Sequence, residues 1–119
     1  MLEQNPELTP ETQALIEKAQ RGDADAQCNL GLMYINGQGV AQSDEKAVEY
    51  YHLAAEQGNA LGQCNLGVMY KRGKGVAQSD EKAVKYYQLA AGQGNALGQC
   101  NLGVMYERGK GVAQSDESG

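Results

Sequence analysis

The sequence repeats itself every 36 residues. The string CNLGVMYKRGKGVAQSDEKAV begins at Cys64, and close variants of it begin at Cys28 and at Cys100. Periods of about 20 to 50 residues are typical of solenoid proteins, in which each unit buries its apolar side only against its neighbours. The chain of 119 residues is therefore predicted to form one continuous array, and not two separate domains.

The copies divide this array, residues 1–119, into two complete repeats with a partial copy at each end. We place an N-terminal half repeat at residues 9–22 and complete repeats at 23–58 and 59–94. A truncated third repeat follows at 95–119.

Each complete repeat carries signals for two helices and none for a β-strand. In the second repeat, helical spacing covers residues 59–72 and ends at Gly73, which suits the left-handed conformation that closes a helix. A glycine-rich loop follows, and Ser79 is a candidate N-cap for a second helix that extends to about Gln93. The predicted fold is an all-α solenoid of antiparallel helix pairs.

The two helices of a repeat differ in how many apolar sides they have. At about 100° per residue, the second helix has one apolar stripe, which contains Ala83, Tyr87 and Ala90. The first helix has a core stripe and also an apolar opposite face, to which Leu61 and Val68 belong. The core stripe consists of Gln63, Leu66, Gly67 and Tyr70.

The chain resembles the Sel-one-like repeats, a branch of the tetratricopeptide-type helical repeats. The strings AQCNLGLMYINGQGV (26–40) and EKAVEYYHLAAEQGNA (45–60) carry this resemblance, which extends over nearly the whole chain. It implies a right-handed superhelix with the first helices on the concave side and the second helices on the convex side. It also implies non-catalytic scaffold or adaptor work in protein complexes. Gly62 stands where that family usually has alanine, so we expect a softer helix start there.

Under this resemblance, the concave groove binds an extended peptide or a partner protein. Apolar side chains that recur at a fixed spacing along the groove can contact a peptide whose backbone also repeats at a fixed spacing. The asparagine side chains offer hydrogen-bond donors and acceptors to that peptide. The candidate binding residues are Asn29, Leu32, Asn36, Leu61, Cys64, Asn65, Val68, Lys71, Arg72, Leu97, Asn101, Val104 and Arg108. An alternative, open for Cys64 and Val68 above all, is that these side chains only pack one helix against the next.

Positive charge is concentrated at the ends of the first helices in the second and third copies. Lys71, Arg72, Lys74, Arg108 and Lys110 are half of the ten lysines and arginines. They favour an acidic or carboxylate-bearing partner at this end of the groove. The alternative is that they complement the negative end of the helix dipole.

Composition argues against several function classes. Ten Lys and Arg against fifteen Asp and Glu give a net charge of −5, which argues against nucleic-acid binding. No apolar segment approaches the roughly 20 residues that cross a bilayer, so membrane insertion is not expected. The start, MLEQNPELTPE, has neither a basic region nor an apolar core, so we expect a cytoplasmic location.

The reactive residue types form no catalytic or metal-binding pattern. Cys28, Cys64 and Cys100 are 36 residues apart, which fits neither a metal knuckle nor a disulfide framework, and we expect reduced thiols. The single histidine, His52, has Gln88 at the equivalent position, and no base accompanies any cysteine or serine. The sequence therefore predicts no enzyme, no cofactor and no metal.

The third copy lacks the second helix that would cover it. Leu102 and Tyr106 would then face solvent, a patch that a monomer rarely leaves open. The alternative function is accordingly a structural, self-assembling or consensus-designed array without a specific ligand. In that case the C-terminal repeat would form a homo-oligomer.

Overall fold

The computed structural model describes residues 9–94, which form five α-helices. These are α1 Pro10–Gln20, α2 Ala24–Asn36, α3 Asp44–Glu56, α4 Ala60–Arg72 and α5 Asp80–Ala91. Within this range there is no strand. The predicted helix pairs are therefore confirmed, although α5 ends two residues before Gln93.

Equivalent helices begin and end with the same local chemistry. Ser43 and Ser79 are the N-caps of α3 and α5, where each side chain accepts a hydrogen bond from the backbone N–H three residues later. At the other end, α2 and α4 finish at Gly37 and Gly73 with φ of 66° and 65°. A residue with a Cβ is strained in this left-handed conformation, which explains glycine at both positions.

Each helix packs against the next one in the chain, and α2 also contacts α4. This second contact brings the first helices of successive repeats together on one side, which we call the inner side. The core of the described helices consists of three clusters. These are Ala19, Ala26 and Leu30; then Ala47, Val48, Tyr51, Ala55, Leu66 and Met69; then Cys64, Ala83, Val84, Tyr87 and Ala90. The described part is an all-α solenoid.

Buried glutamines join the helices at each repeat junction. The Nε2 atom of Gln63 donates to the carbonyl of Ala55 (3.3 Å), close to the end of α3, where carbonyls lack a partner within the helix. Its Oε1 atom accepts from Nε2 of Gln93 (2.8 Å), beyond α5. Gln57 donates to Gln27 in the same way one repeat earlier (2.9 Å). The end of each second helix is thus bonded to the neighbouring first helix.

Gly62 lies where α4 packs tightly against α3. A Cβ atom placed on it would lie 2.8 Å from Cβ of Ala54 and 3.2 Å from Sγ of Cys28. The sequence predicted only a softer helix start at this departure from family usage. The structure shows that the missing methyl group also lets the two helices pack more closely.

Candidate functional site

The exposed side of the first helices is narrow. Helix α4 packs against α3 through Leu66 and Met69 and against α5 through Cys64. Together with the contact to α2, this packing covers most of the circumference of α4. Among the positions left at least partly exposed, one stripe has the spacing i, i+4, i+7, i+11. We define the inner face as these positions in both helices, namely Asp25, Asn29, Leu32 and Asn36 in α2 and Leu61, Asn65, Val68 and Arg72 in α4.

Two leucines of the inner face expose a large apolar surface. Leu32 is 51% exposed and Leu61 is 42% exposed. Val68 is half-buried, because it packs against the cluster between α4 and α5. Asn29 and Asn36 are exposed and Asn65 is half-buried, so all three amides reach solvent. The structure therefore combines accessible apolar and amide groups on one side of the array.

Cys64 does not belong to this exposed surface. Its side chain is fully buried (0% exposed) against α5, where Ala83, Val84, Tyr87 and Ala90 surround it. Cys64 therefore packs the helices together, and its placement among the candidate binding residues is wrong. The packing alternative is correct for this residue because α5 covers the side of α4 on which it lies.

Cys28 is buried in the same way and is bonded across the repeat junction. Its Sγ donates to Oδ1 of Asn59 (3.1 Å), which also accepts from the backbone N–H of Gly62 (2.7 Å). Nδ2 of Asn59 donates to Oδ1 of Asp25 (3.2 Å). Burial, and next the charge of Asp25, raise the pKa of the Cys28 thiol to about 11. This thiol is protonated near neutral pH and so is a poor nucleophile.

The basic end of the inner face lies at the last turn of α4. Lys71 is half-buried, and Arg72 and Lys74 are exposed. Within residues 9–94, none of these three cations has a carboxylate within 4.0 Å. At the equivalent positions of the first repeat, Ile35, Asn36 and Gln38 carry no charge. The charge of the inner face therefore differs between the two repeats.

Part of the predicted site lies outside the described residues. Leu97, Asn101, Val104 and Arg108 belong to it, and so does the end that was predicted to form a homo-oligomer. Within residues 9–94, no group of His, Cys, Asp and Glu side chains is arranged to hold a metal ion. In the same range, none of the five helices has the length and apolar character that a bilayer crossing requires.

Sequence reasoning missed the pairing of the tyrosines. The rings of Tyr34 and Tyr50 stack at 5.9 Å between centroids, and those of Tyr70 and Tyr86 at 5.8 Å. Each pair joins the two helices of one repeat, and Nζ of Lys82 lies 5.4 Å from the centroid of the Tyr70 ring. The available signal was the recurrence of both tyrosines one period apart.

Comparison with known proteins agrees with this architecture. The Sel1 repeat family model matches residues 24–59, 60–95 and 96–119, which is most of the chain. The crystal structure of a protective antigen of uropathogenic Escherichia coli strains, which displays an SLR fold, is 41% identical with a TM-score of 0.86 over 90% of this chain. A Sel1 repeat protein from Oxalobacter formigenes is 34% identical with a TM-score of 0.75, also over 90% of the chain.

The chain spans 23% of the length of the first of these proteins and 41% of the second. No curated protein matches it at a significant level. The family match and the two structures agree with the all-α solenoid of helix pairs described above. The chain belongs to the Sel1 repeat family.

Proposed function

We propose that this chain is a non-catalytic scaffold or adaptor module that binds an extended segment of a partner protein along its inner face. Sel1 repeat proteins are generally protein-interaction modules. The observation that carries the proposal is that the neighbouring inner helices α2 and α4 each expose a leucine of the inner face, Leu32 and Leu61, beside accessible asparagines. Large apolar side chains are costly to leave in water, and a bound segment would cover them.

The inner face offers two kinds of contact to such a segment. Leu32, Leu61 and the exposed part of Val68 suit apolar side chains of the partner. The amides of Asn29 and Asn65 are positioned one repeat apart and can bond its backbone N–H and C=O groups. The occupant is thus expected to be extended and apolar at every few residues.

The partner segment is expected to be acidic where it meets the end of α4. Lys71, Arg72 and Lys74 cluster there, and no described carboxylate neutralises them at short range. Charge complementarity raises the association rate and fixes the register of binding more than it raises affinity. An acidic residue at one end of the segment would therefore set its direction along the groove.

A selection followed by matched variants tests the proposal. Peptides of about 12 residues, enough to span two repeats in extended form, are selected from a phage-displayed library on the immobilised full chain. The best peptide is then titrated against the double variant L32E/L61E and against L53E/L89E. Leu53 and Leu89 are each 46% exposed on α3 and α5, so the second variant adds the same charges to equally exposed leucines.

Binding should be lost in L32E/L61E and kept in L53E/L89E. Replacing the glutamates of the peptide by glutamine should weaken binding to the parent chain, and R72Q should remove most of that difference. If no peptide is selected, or if L32E/L61E binds as tightly as the parent, the inner face is not the binding site.

A further inference from the structure

The second helices carry a pair of exposed leucines that binding at the inner face does not use. Leu53 in α3 and Leu89 in α5 are each 46% exposed, and they occupy the same position of successive repeats. Together with Leu32 and Leu61 they are the exposed large apolar residues of the described part. A repeated apolar position on the side opposite the groove indicates a second contact surface.

The charges that flank these leucines are reversed between the two helices. Glu49 precedes Leu53 by one turn, whereas Lys85 precedes Leu89 at the equivalent position. One turn after the leucines, Glu56 in α3 is matched in α5 by Gly92, which has no side chain. We define the outer face as these six exposed positions, which are Glu49, Leu53, Glu56, Lys85, Leu89 and Gly92.

Both charged groups are presented at the surface. Nζ of Lys85 lies 5.6 Å from the centroid of the Tyr86 ring, which holds the ammonium group close to the outer face. Glu49 is close enough to the stacked tyrosines to contribute, after burial, to raising the pKa of Tyr34. No ion pair joins Glu49 to Lys85 within one chain. Each charge is therefore available to a second molecule.

We propose that the outer face binds the outer face of a second copy of this chain. Helices α3 and α5 run in the same direction, because each is the second helix of its repeat, so equivalent positions lie at equal heights. A two-fold axis parallel to these helices and midway between them places α3 of each copy on α5 of the other. Glu49 then meets Lys85 of the second copy and Leu53 meets its Leu89, and symmetry forms every contact twice.

A cleft beside Leu53 provides room for the incoming helix. It has a volume of about 530 Å³ and lies between the C-terminal end of α1 and α3, with Gly22, Gln27, Tyr50 and Glu56 among its lining residues. Leu89 of the second copy can enter this cleft beside Leu53, and Lys85 of that copy then lies opposite the carboxylate of Glu49. The carboxylate beside the cleft and the ammonium group that meets it are thus both supplied by this chain.

The proposed contact between the two outer faces is small, and the dimer that it forms is bivalent. Glu45 and Glu81, at the start of the two helices, would face each other with like charge, which confines the contact to the turns around the leucines. A contact of this size fits a weak, transient dimer. Because the two copies meet on the sides opposite their grooves, both inner faces stay open, and the dimer presents two binding sites.

A charge-swap series tests the dimer. Sedimentation equilibrium of the full chain from about 10 μM to about 1 mM covers the range of weak dimers. We expect a monomer–dimer equilibrium that weakens as salt is added, since the ion pairs are screened. E49K and K85E each place like charges opposite one another twice, so each should weaken dimerisation at least about tenfold. The double variant E49K/K85E should restore it.

The control variant R72E changes charge on the inner face and should leave dimerisation unaltered. Circular dichroism of each variant verifies that the helices are intact. A monomer over the whole range, association that E49K and K85E leave unchanged, or a double variant as weak as the single ones would each overturn the proposal. Peptide binding per chain should survive in E49K. The experiment therefore distinguishes failure of the dimer proposal from failure of the proposal that the inner face binds a peptide.

Discussion

The ring of Tyr87 in α5 lies directly on Gly67 in α4. A Cβ atom placed on Gly67 would be 2.6 Å from Cε1 of Tyr87, closer than a real methyl group can come. The same relationship holds one repeat earlier, where a Cβ on Gly31 would be 2.6 Å from Cε1 of Tyr51. Glycine in the first helix thus admits the buried tyrosine of the second. This packing fixes the orientation of each inner helix against the second helix of its repeat. It therefore decides which side chains of the inner helix reach the groove.

The change Gly67→Ala should destabilise the fold. The added methyl group would meet the Tyr87 ring and also lie 3.1 Å from the carbonyl oxygen of Ala83, which is backbone and cannot easily move. Overpacking of this kind costs about 1–3 kcal/mol, against a gain of up to about 1 kcal/mol in helix propensity. Urea unfolding measures the difference. Gly92→Ala is the matched control, since Gly92 has φ of −62° and a Cβ there would find its nearest neighbour at 3.4 Å. Equal stability of the two variants would contradict the prediction.

The change Gln63→Leu should lower the free energy of unfolding by about 1–3 kcal/mol. Leucine has nearly the same size, but it removes the donor to the Ala55 carbonyl and the acceptor for Gln93. Each lost hydrogen bond contributes about 0.5–1.5 kcal/mol, while the Ala55 carbonyl still accepts from the backbone N–H of Gly58 (2.9 Å). Gln13→Leu is the control, because Gln13 is exposed on α1, and it should change stability by less than about 0.5 kcal/mol. A Gln63→Leu protein as stable as this control would show that the glutamine bonds contribute little.

Stability should fall steeply at alkaline pH, partly because of Tyr87. Burial, and next the neighbouring Cys64, raise the pKa of Tyr87 from 10.0 to about 12. Between these values the unfolded chain releases a proton that the folded chain keeps, so the free energy of unfolding decreases as pH rises. Below pH 10 the contribution of Tyr87 to the free energy of unfolding is fully present. Tyr51 is shifted in the same direction, with burial as the main cause.

The variant Tyr87→Phe isolates this effect. Among the described residues the Tyr87 hydroxyl has no hydrogen-bond partner, so its removal should leave stability at about pH 8 unchanged or slightly higher. Urea unfolding at about pH 8 and about pH 11 should then show a smaller loss for the variant than for the parent. An equal loss in the two proteins would mean that Tyr87 ionises normally in the folded state.

The two described cysteines should resist alkylation while the protein is folded. Cys28 is 3% exposed and Cys64 is 0% exposed, and burial raises the pKa of the Cys28 thiol to about 11. The thiolate is the reactive form, and neither its formation nor the approach of a reagent is favoured here. Iodoacetamide at about pH 8 should label both residues in urea but only slowly in buffer, as measured by mass spectrometry of the separated peptides. Rapid labelling in buffer would show that the helices around them open readily.

Most of the helical framework could be predicted because its signals are local. The residues that begin and end a helix act within one turn, so Ser79 and Gly73 marked the boundaries of α5 and α4 without any knowledge of the tertiary structure. Helical spacing also placed Leu61 on the face opposite the core stripe, where it is exposed, because the angle between two residues on one helix is known in advance. The same reasoning placed Tyr87 in the core.

The assignment of Cys64 failed for a different reason. It lies about 60° from Leu61 around α4, and spacing alone does not say how far a neighbouring helix reaches around that side. Helix α5 covers it, so the exposed stripe is narrower than predicted. The hydrogen bonds of Gln63 could not be predicted either, since they depend on the end of α3 meeting the first turn of α4. A period of 36 residues, with its capping residues and glycines, is sufficient to determine an array of helix pairs. Packing between the helices decides which side chains remain at the surface, because burial depends on distances between residues that are far apart in the chain.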